Sequence, residues 1–325
     1  MNSSIPAACD VLCVGLIVAD HVAAPIEVMP PSGGLALTPR TELTIGGCAA
    51  NVAVDLAKLG VSAGVVGGVG DDVVGRYVAD ELAASGVDCS QIVVSQEVQT
   101  STTLVINVKG EDRRFIHALG ANSILTGREI DPDVLKQAKI VYVGGFGLNA
   151  ALSGENVAEM FRVARAAGVR TVLDVVIGEP SVIGEMLQPV LPLTDIFVPN
   201  TDEARVITGL DDPLEQAKVF RRQGTETVIV TCGSAGSLLL TPTECARIPI
   251  YKVAEVDGTG GGDAFAAGLM SGLIAGKSLI DCVKDGAALG ASCVRATGAT
   301  TGTFNARELR NFVETNDLII ERITI

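Results

Sequence analysis

At 325 residues the chain is long enough for one large α/β domain or two smaller ones, and 48% hydrophobic residues exclude an intrinsically disordered polypeptide. Its 24 Lys plus Arg against 38 Asp plus Glu leave a formal net charge of −14, which argues against nucleic acid as a partner. A polyanionic small substrate therefore needs a local device, such as a helix N-terminus or a bound cation, to overcome the general field.

No Lys or Arg precedes Arg40, so a secretory leader would lack its charged start, and no uncharged stretch is apolar enough to span a bilayer. The expectation is a soluble cytoplasmic protein with no membrane partner. Residues 10–18 read as a buried strand, with Cys9 and Cys13 on one face. Helical spacing from Asn51 then stops at Gly60 in the C-cap position. The alternation continues through segments 62–70, 73–86, 138–145, 156–168, 170–176 and 194–200, and 201–209 follows as another helix. Repeated β and α elements imply a largely parallel sheet covered on both faces. Two stretches interrupt this rhythm. Residues 20–45 hold a Pro-Pro-Ser-Gly-Gly cluster, and in residues 99–118 a Lys-Gly-Glu-Asp turn joins two strand-like segments. Together they predict a small β-sheet lid, 20–45 and 99–118, leaving 1–19, 46–98 and 119–325 to a large domain that binds nucleotide and substrate. The eight cysteines form no CxxC pair and read as core packing in a reducing compartment rather than a zinc site.

Late in the chain Gly258, Gly260, Gly261 and Gly262 run directly into a helical pattern marked by Phe265, Leu269 and Leu273. Bare backbone at a helix N-terminus directs several N–H groups at a ligand, and the helix dipole adds positive potential, making an anion hole that needs no lysine. Asp263 is the odd member of this loop. Either it caps the helix, where Asp is favoured, or it accepts a proton from an attacking hydroxyl.

The segments "GGCAANVAVDLAKLG" (46–60), "VGDDVVG" (69–75), "PNTDEARVITG" (199–209), "VTCGSAG" (230–236) and "VDGTGGGDAF" (256–265) stand in the order seen in ribokinase-like (PfkB) sugar and nucleoside kinases. The chain resembles that family over nearly its whole length. The resemblance implies a three-layer αβα sandwich with a mostly parallel central sheet, a β-lid over the sugar and MgATP across the C-terminal half. By that resemblance Asp263 is the general base, and Gly260, Gly261 and Gly262 form the anion hole for the transferring phosphoryl group. Asp20, Gly46, Gly47 and Asn51 match residues that hold sugar hydroxyls. Asn200 and Glu203 match an NxxE motif that organises magnesium through water; Thr231, Gly233 and Gly236 match a nucleotide loop. Asp257 and Thr259 match a monovalent-cation site, implying potassium.

Each match has a plainer alternative. Asn200 and Glu203 fall at the spacing of a capping box, "VTCGSAG" fits an ordinary hairpin turn, Asp20 could simply end a strand, and Asn51 could cap the helix it begins. His21 and His117 match no catalytic position and read as lid or surface residues. Where ribokinase has a lysine after the paired glycines this chain has Cys48, and residues 143–150 lack an expected sugar-binding glutamate, which puts ribose itself in doubt; a phosphorylated sugar is disfavoured for want of a lysine. The expected activity is ribokinase-like, ATP-dependent phosphorylation of a hydroxyl of a small sugar by a homodimer paired through its lid, with an adenosine-like nucleoside kinase of the same family as the alternative. A sugar-acid kinase, a catalytically silent sugar-binding relative and a nucleotide-dependent oxidoreductase are the rivals, the last lacking a GxGxxG after its first strand.

Overall fold

Runs of buried Val, Ile and Ala form strands, and the amphipathic segments between them return the chain to the same edge. The computed structural model describes residues 9–111 and 113–324; residues 1–8 of the expected large domain and Asp112 of the expected turn lie outside the described residues. The first strands are β1 (Val11–Gly15), β2 (Val18–Ala23), β3 (Thr41–Gly46), β4 (Ala63–Gly70), β5 (Asp88–Ser95), β6 (Thr102–Ile106) and β7 (Arg114–Ala118). They continue as β8 (Ile140–Phe146), β9 (Arg170–Val175), β10 (Ile196–Phe197), β11 (Thr227–Thr231), β12 (Ser237–Leu240), β13 (Cys245–Ile248) and β14 (Glu321–Arg322). The helices are α1 (Cys48–Lys58), α2 (Val73–Ala84), α3 (Pro132–Gln137), α4 (Gly154–Ala166), α5 (Ile183–Leu187), α6 (Thr201–Thr208), α7 (Pro213–Arg222), α8 (Gly261–Ile274), α9 (Leu279–Cys293) and α10 (Ala306–Thr315).

Ten strands make the main sheet in the order β14-β13-β12-β11-β10-β9-β8-β1-β4-β5. From β11 to β5 every pairing is parallel, while β12, β13 and β14 add an antiparallel edge. Helices on both faces explain why β1, β4 and β8 are buried along their entire lengths. One core, including Cys13, Val65 and Tyr142, packs under α1, α8 and α9. The other, including Leu12, Phe161 and Phe220, packs under α4 and α7. Cys9 precedes β1 and belongs to this second core, so it does not share a face with Cys13.

Residues 10–18 are not one strand. β1 stops at Gly15, and the chain re-emerges at Val18 in a separate four-stranded sheet of order β3-β2-β6-β7. The side chain of Asn122 satisfies the buried backbone at the break, accepting from Ile17 N–H at 3.2 Å and donating to Ile17 C=O at 2.9 Å. This small sheet is built from the two segments expected to form the lid. Both histidines lie on it, His21 on β2 and His117 on β7, where Nδ1 meets Thr103 Oγ1 at 3.0 Å.

Within α1 the fully buried Asp55 accepts from Thr303 Oγ1 at 2.7 Å, while its other oxygen has no partner among the described residues. Burial pushes its carboxyl up to about 8 despite the Thr303 bond and the nearby Lys58 charge. The folded chain therefore holds this proton more tightly than an unfolded one, whose pKa is about 3.9. Stability from this group is complete below that value and is lost as pH rises toward 8. Asp55→Asn is expected to raise Tm at about pH 8, by roughly 2–4 °C per kcal/mol recovered, and to change it far less at about pH 4. Calorimetry at both pH values checks this; equal shifts would rule out titration of Asp55 as the cause.

Candidate active site

Residues from distant parts of the sequence converge where the parallel strands end, the usual position for a ligand in an open α/β sheet. Asp263 occupies the first turn of α8, and the N-cap is Gly260, so the carboxylate does not cap its helix. Instead Asn51 Nδ2 donates to Asp263 Oδ2 at 2.7 Å, and the Cys48 thiol donates to the same carboxylate. Burial raises the Asp263 pKa, and these two donors partly offset it. Asn51 does not begin its helix, because α1 starts at Cys48 after Gly47; one turn in, its amide is aimed across at α8. Asn51 Oδ1 is buried without a partner among the described residues, as expected of an acceptor that waits for an external hydroxyl.

The glycine loop has the geometry of an anion site. Gly260 has φ 75°, and a Cβ there would stand 2.5 Å from the Ala299 carbonyl oxygen. Gly261 N–H makes a long 3.3 Å bond to Gly258 C=O, whereas the N–H groups of Gly260 and Gly262 meet no acceptor among the described residues. These amides stand at the positive end of a 14-residue helix.

On the lid side, Asp20 of β2 faces the close of β3. A Cβ on Gly46 would lie 2.1 Å from Asp20 Oδ2, so only glycine admits this carboxylate. Burial pushes Asp20 up to about 6 against a hydrogen bond from Thr103, and the Asp263 charge adds to the rise. Gly46 and Gly47 lead directly into α1, which places Asp20, Asn51 and Asp263 around one site.

A second acidic group stands beside it. Asp174, at the end of β9, accepts from Tyr142 Oη at 3.3 Å, and Cys48, Asp174 and Asp263 present ligand atoms within 4.8 Å of one another. Burial raises Asp174, and the charges of Glu203 and Asp263 raise it further. Burial likewise pushes Glu203 up to about 7. Burial and mutual repulsion work against charge on Asp174 and Glu203 beside Asp263, and an acidic cluster of this kind suits a divalent cation. Asn200 and Glu203 do form a capping box: Asn200 Oδ1 accepts from Glu203 N–H, and Glu203 Oε2 accepts from Asn200 N–H, both at 2.9 Å. Thr231 N–H donates to Pro199 C=O at 3.0 Å, holding the nucleotide-loop residues beside this cap. Thr231 ends β11, and Gly233 and Gly236 turn the chain into antiparallel β12, so the loop is also a hairpin.

Asp257 and Thr259 sit together before α8, but the lid reaches them. Arg113 Nη1 donates to Asp257 Oδ1 at 2.5 Å and also to Thr259 Oγ1. Burial acts to raise the Asp257 pKa, yet bonds from Gly298 and Thr259 and the Arg113 charge hold it below the usual carboxylate value.

Residues 9–306 match the family described as pfkB family carbohydrate kinase. The chain belongs to the pfkB family. As a member it is a carbohydrate kinase, a phosphotransferase with an alcohol group as acceptor. It is 30% identical over 311 residues to the ribokinase of Haemophilus influenzae, covering 93% of this chain and 97% of the relative. The Arabidopsis thaliana ribokinase complexed with ribose and ATP aligns with TM-score 0.81 and 25% identity, over 94% of this chain and 98% of that one. A chain from E. coli solved with ATP and Mg2+ aligns with TM-score 0.81 and 27% identity, over 95% and 100%. The chain has the fold of these kinases, a large mostly parallel sheet flanked by helices with a separate small sheet.

Asp174, Tyr142 and Arg113 join the site although none belongs to an expected motif position. An acid closing a buried parallel strand was the available signal for Asp174; Arg113, 144 residues from Asp257, offered none. Because Gly46→Ala collides with Asp20, we expect KM for the acceptor to rise about 10- to 100-fold, with the MgATP Kd unchanged. Steady-state kinetics and calorimetric titration with nucleotide check this; an unchanged acceptor KM would remove Asp20 from acceptor binding.

Proposed function

We propose that this kinase transfers the γ-phosphoryl group of MgATP to a hydroxyl of a small, uncharged sugar, a ribokinase-like reaction. The observation that carries the reading is the Asn51–Asp263 contact at the start of α8: a buried carboxylate held next to unengaged backbone amides, with an unpartnered amide oxygen beside it. Asp20 and Asn51 orient the acceptor hydroxyls, and Cys48 stands where a cationic side chain would favour a phosphorylated sugar. Asp263 takes the proton from the attacking hydroxyl, its raised pKa matching it to that task. The amides of Gly260, Gly261 and Gly262 and the end of α8 meet the charge on the transferring group. Asn200 and Glu203 with Asp174 would hold magnesium, and Thr231, Gly233 and Gly236 would border the nucleotide. Magnesium when bound neutralises phosphate oxygens. Lid strands β2 and β3 exclude water from the acceptor side.

A coupled ADP-release assay over pentoses, hexoses, nucleosides and sugar acids tests the substrate class, and a preference for charged sugar acids would overturn it. Asp263→Asn should lower kcat by about 10²–10⁴-fold while MgATP still binds. Near-normal turnover in that variant would remove Asp263 as the base.

A further inference from the structure

The two residues expected to bind a monovalent cation are already engaged by a cation of the protein's own. Asp257 Oδ1 accepts from Thr259 N–H at 2.9 Å, from Thr259 Oγ1 at 2.7 Å and from Arg113 Nη1 at 2.5 Å, while Oδ2 accepts from Gly298 N–H at 3.0 Å. Arg113 donates to Thr259 Oγ1 as well, and its other terminal nitrogen lies 3.3 Å from where a Cβ on Gly258 would be. The guanidinium thus lies against the loop that opens the anion hole. Its side chain is 25% exposed and that of Asp257 only 11%, so the pair is shielded more than a surface ion pair. Arg113 comes from the residue before β7, on the β6–β7 hairpin of the lid. A guanidinium stays protonated at all working pH values and, unlike a dissolved ion, cannot exchange.

We propose that Arg113 is a built-in replacement for a monovalent cation: a positioning residue that fixes the Asp257–Gly262 loop for phosphoryl transfer and makes the kinase independent of potassium. The proposal rests on the kinase reading above. Asp257 ties the glycine loop to Gly298 and to the lid, and the Arg113 charge satisfies the carboxylate that would otherwise need an ion. Arg40, Lys109, Glu42, Glu111 and Glu255 line the same cleft of about 390 Å³, whose described lining stays net acidic, and Arg113 is the cation bonded to both Asp257 and Thr259.

The test compares wild type, Arg113→Ala and Arg113→Lys in potassium, sodium or tetramethylammonium chloride at one ionic strength. Turnover is read with the best acceptor from the panel, and Tm is read with MgATP present. For wild type, kcat, KM for ATP and Tm should agree within about twofold or 1 °C across the three salts. Arg113→Ala should lose about 10- to 100-fold in kcat with little change in acceptor KM, and should regain activity and Tm specifically in potassium. Arg113→Lys should stay indifferent to the salt. Potassium-specific activation or stabilisation of wild type overturns the proposal, as does an Arg113→Ala protein whose activity and Tm ignore potassium. If no acceptor is phosphorylated, the kinase reading falls by itself, while the Tm comparison still decides whether Arg113 stands in for the ion.

Discussion

A hydrogen bond between two helices far apart in sequence, Asn51 of α1 to Asp263 of α8, is the contact on which the site depends. A carboxylate buried this deeply would take up a proton or turn toward solvent unless donors held it. Here Asn51, Cys48 and the positive end of α8 do so. The architecture is arranged to bring those donors together. Ala49, Ala50 and Ala53 on α1 and Ala264 and Ala267 on α8 are buried small residues that let the helices lie close, over strands whose hydrogen bonding fixes where each helix begins.

Around this contact, charge is sorted by position. Asp174, Glu203 and Asp263 form an acidic cluster in which each charge makes the next costlier, a field that attracts a divalent cation. The amides of Gly260 and Gly262 lie at a helix start and offer the opposite sign without a basic side chain. In the proposed reaction, a chain with net charge −14 would hold its phosphorylated nucleotide through oriented dipoles and a bound ion rather than through the surface as a whole.

Legibility in the sequence followed the range of the cause. The parallel sheet, the lid hairpin and the glycine loop arise from local spacing, and all three are present. Where the outcome depended on a distant partner, the local pattern misled. Apolar residues 10–18 read as one strand because nothing nearby announces that Asn122 will satisfy Ile17 and divert the chain into a second sheet. For Asn51 a helix cap stands as the plainer alternative to a sugar contact, because its value as a donor to Asp263 requires α8 opposite it. Cys48 registered only as a missing lysine, its bond to Asp263 being invisible until both helices are placed.

The capping box at α6 shows why local and functional readings of one motif need not compete. Asn200 N–H binds Glu203 Oε2, which fixes the carboxylate's rotamer at no cost to its other oxygen. That same constraint holds a partly buried acid next to Asp174 and Asp263, where burial raises its pKa to about 7. A flexible glutamate would escape such repulsion by swinging toward water. One tied to its own helix start cannot, and the electrostatic strain it retains is relieved when a cation arrives. Local helix stability is thus the means by which the acidic cluster is kept assembled.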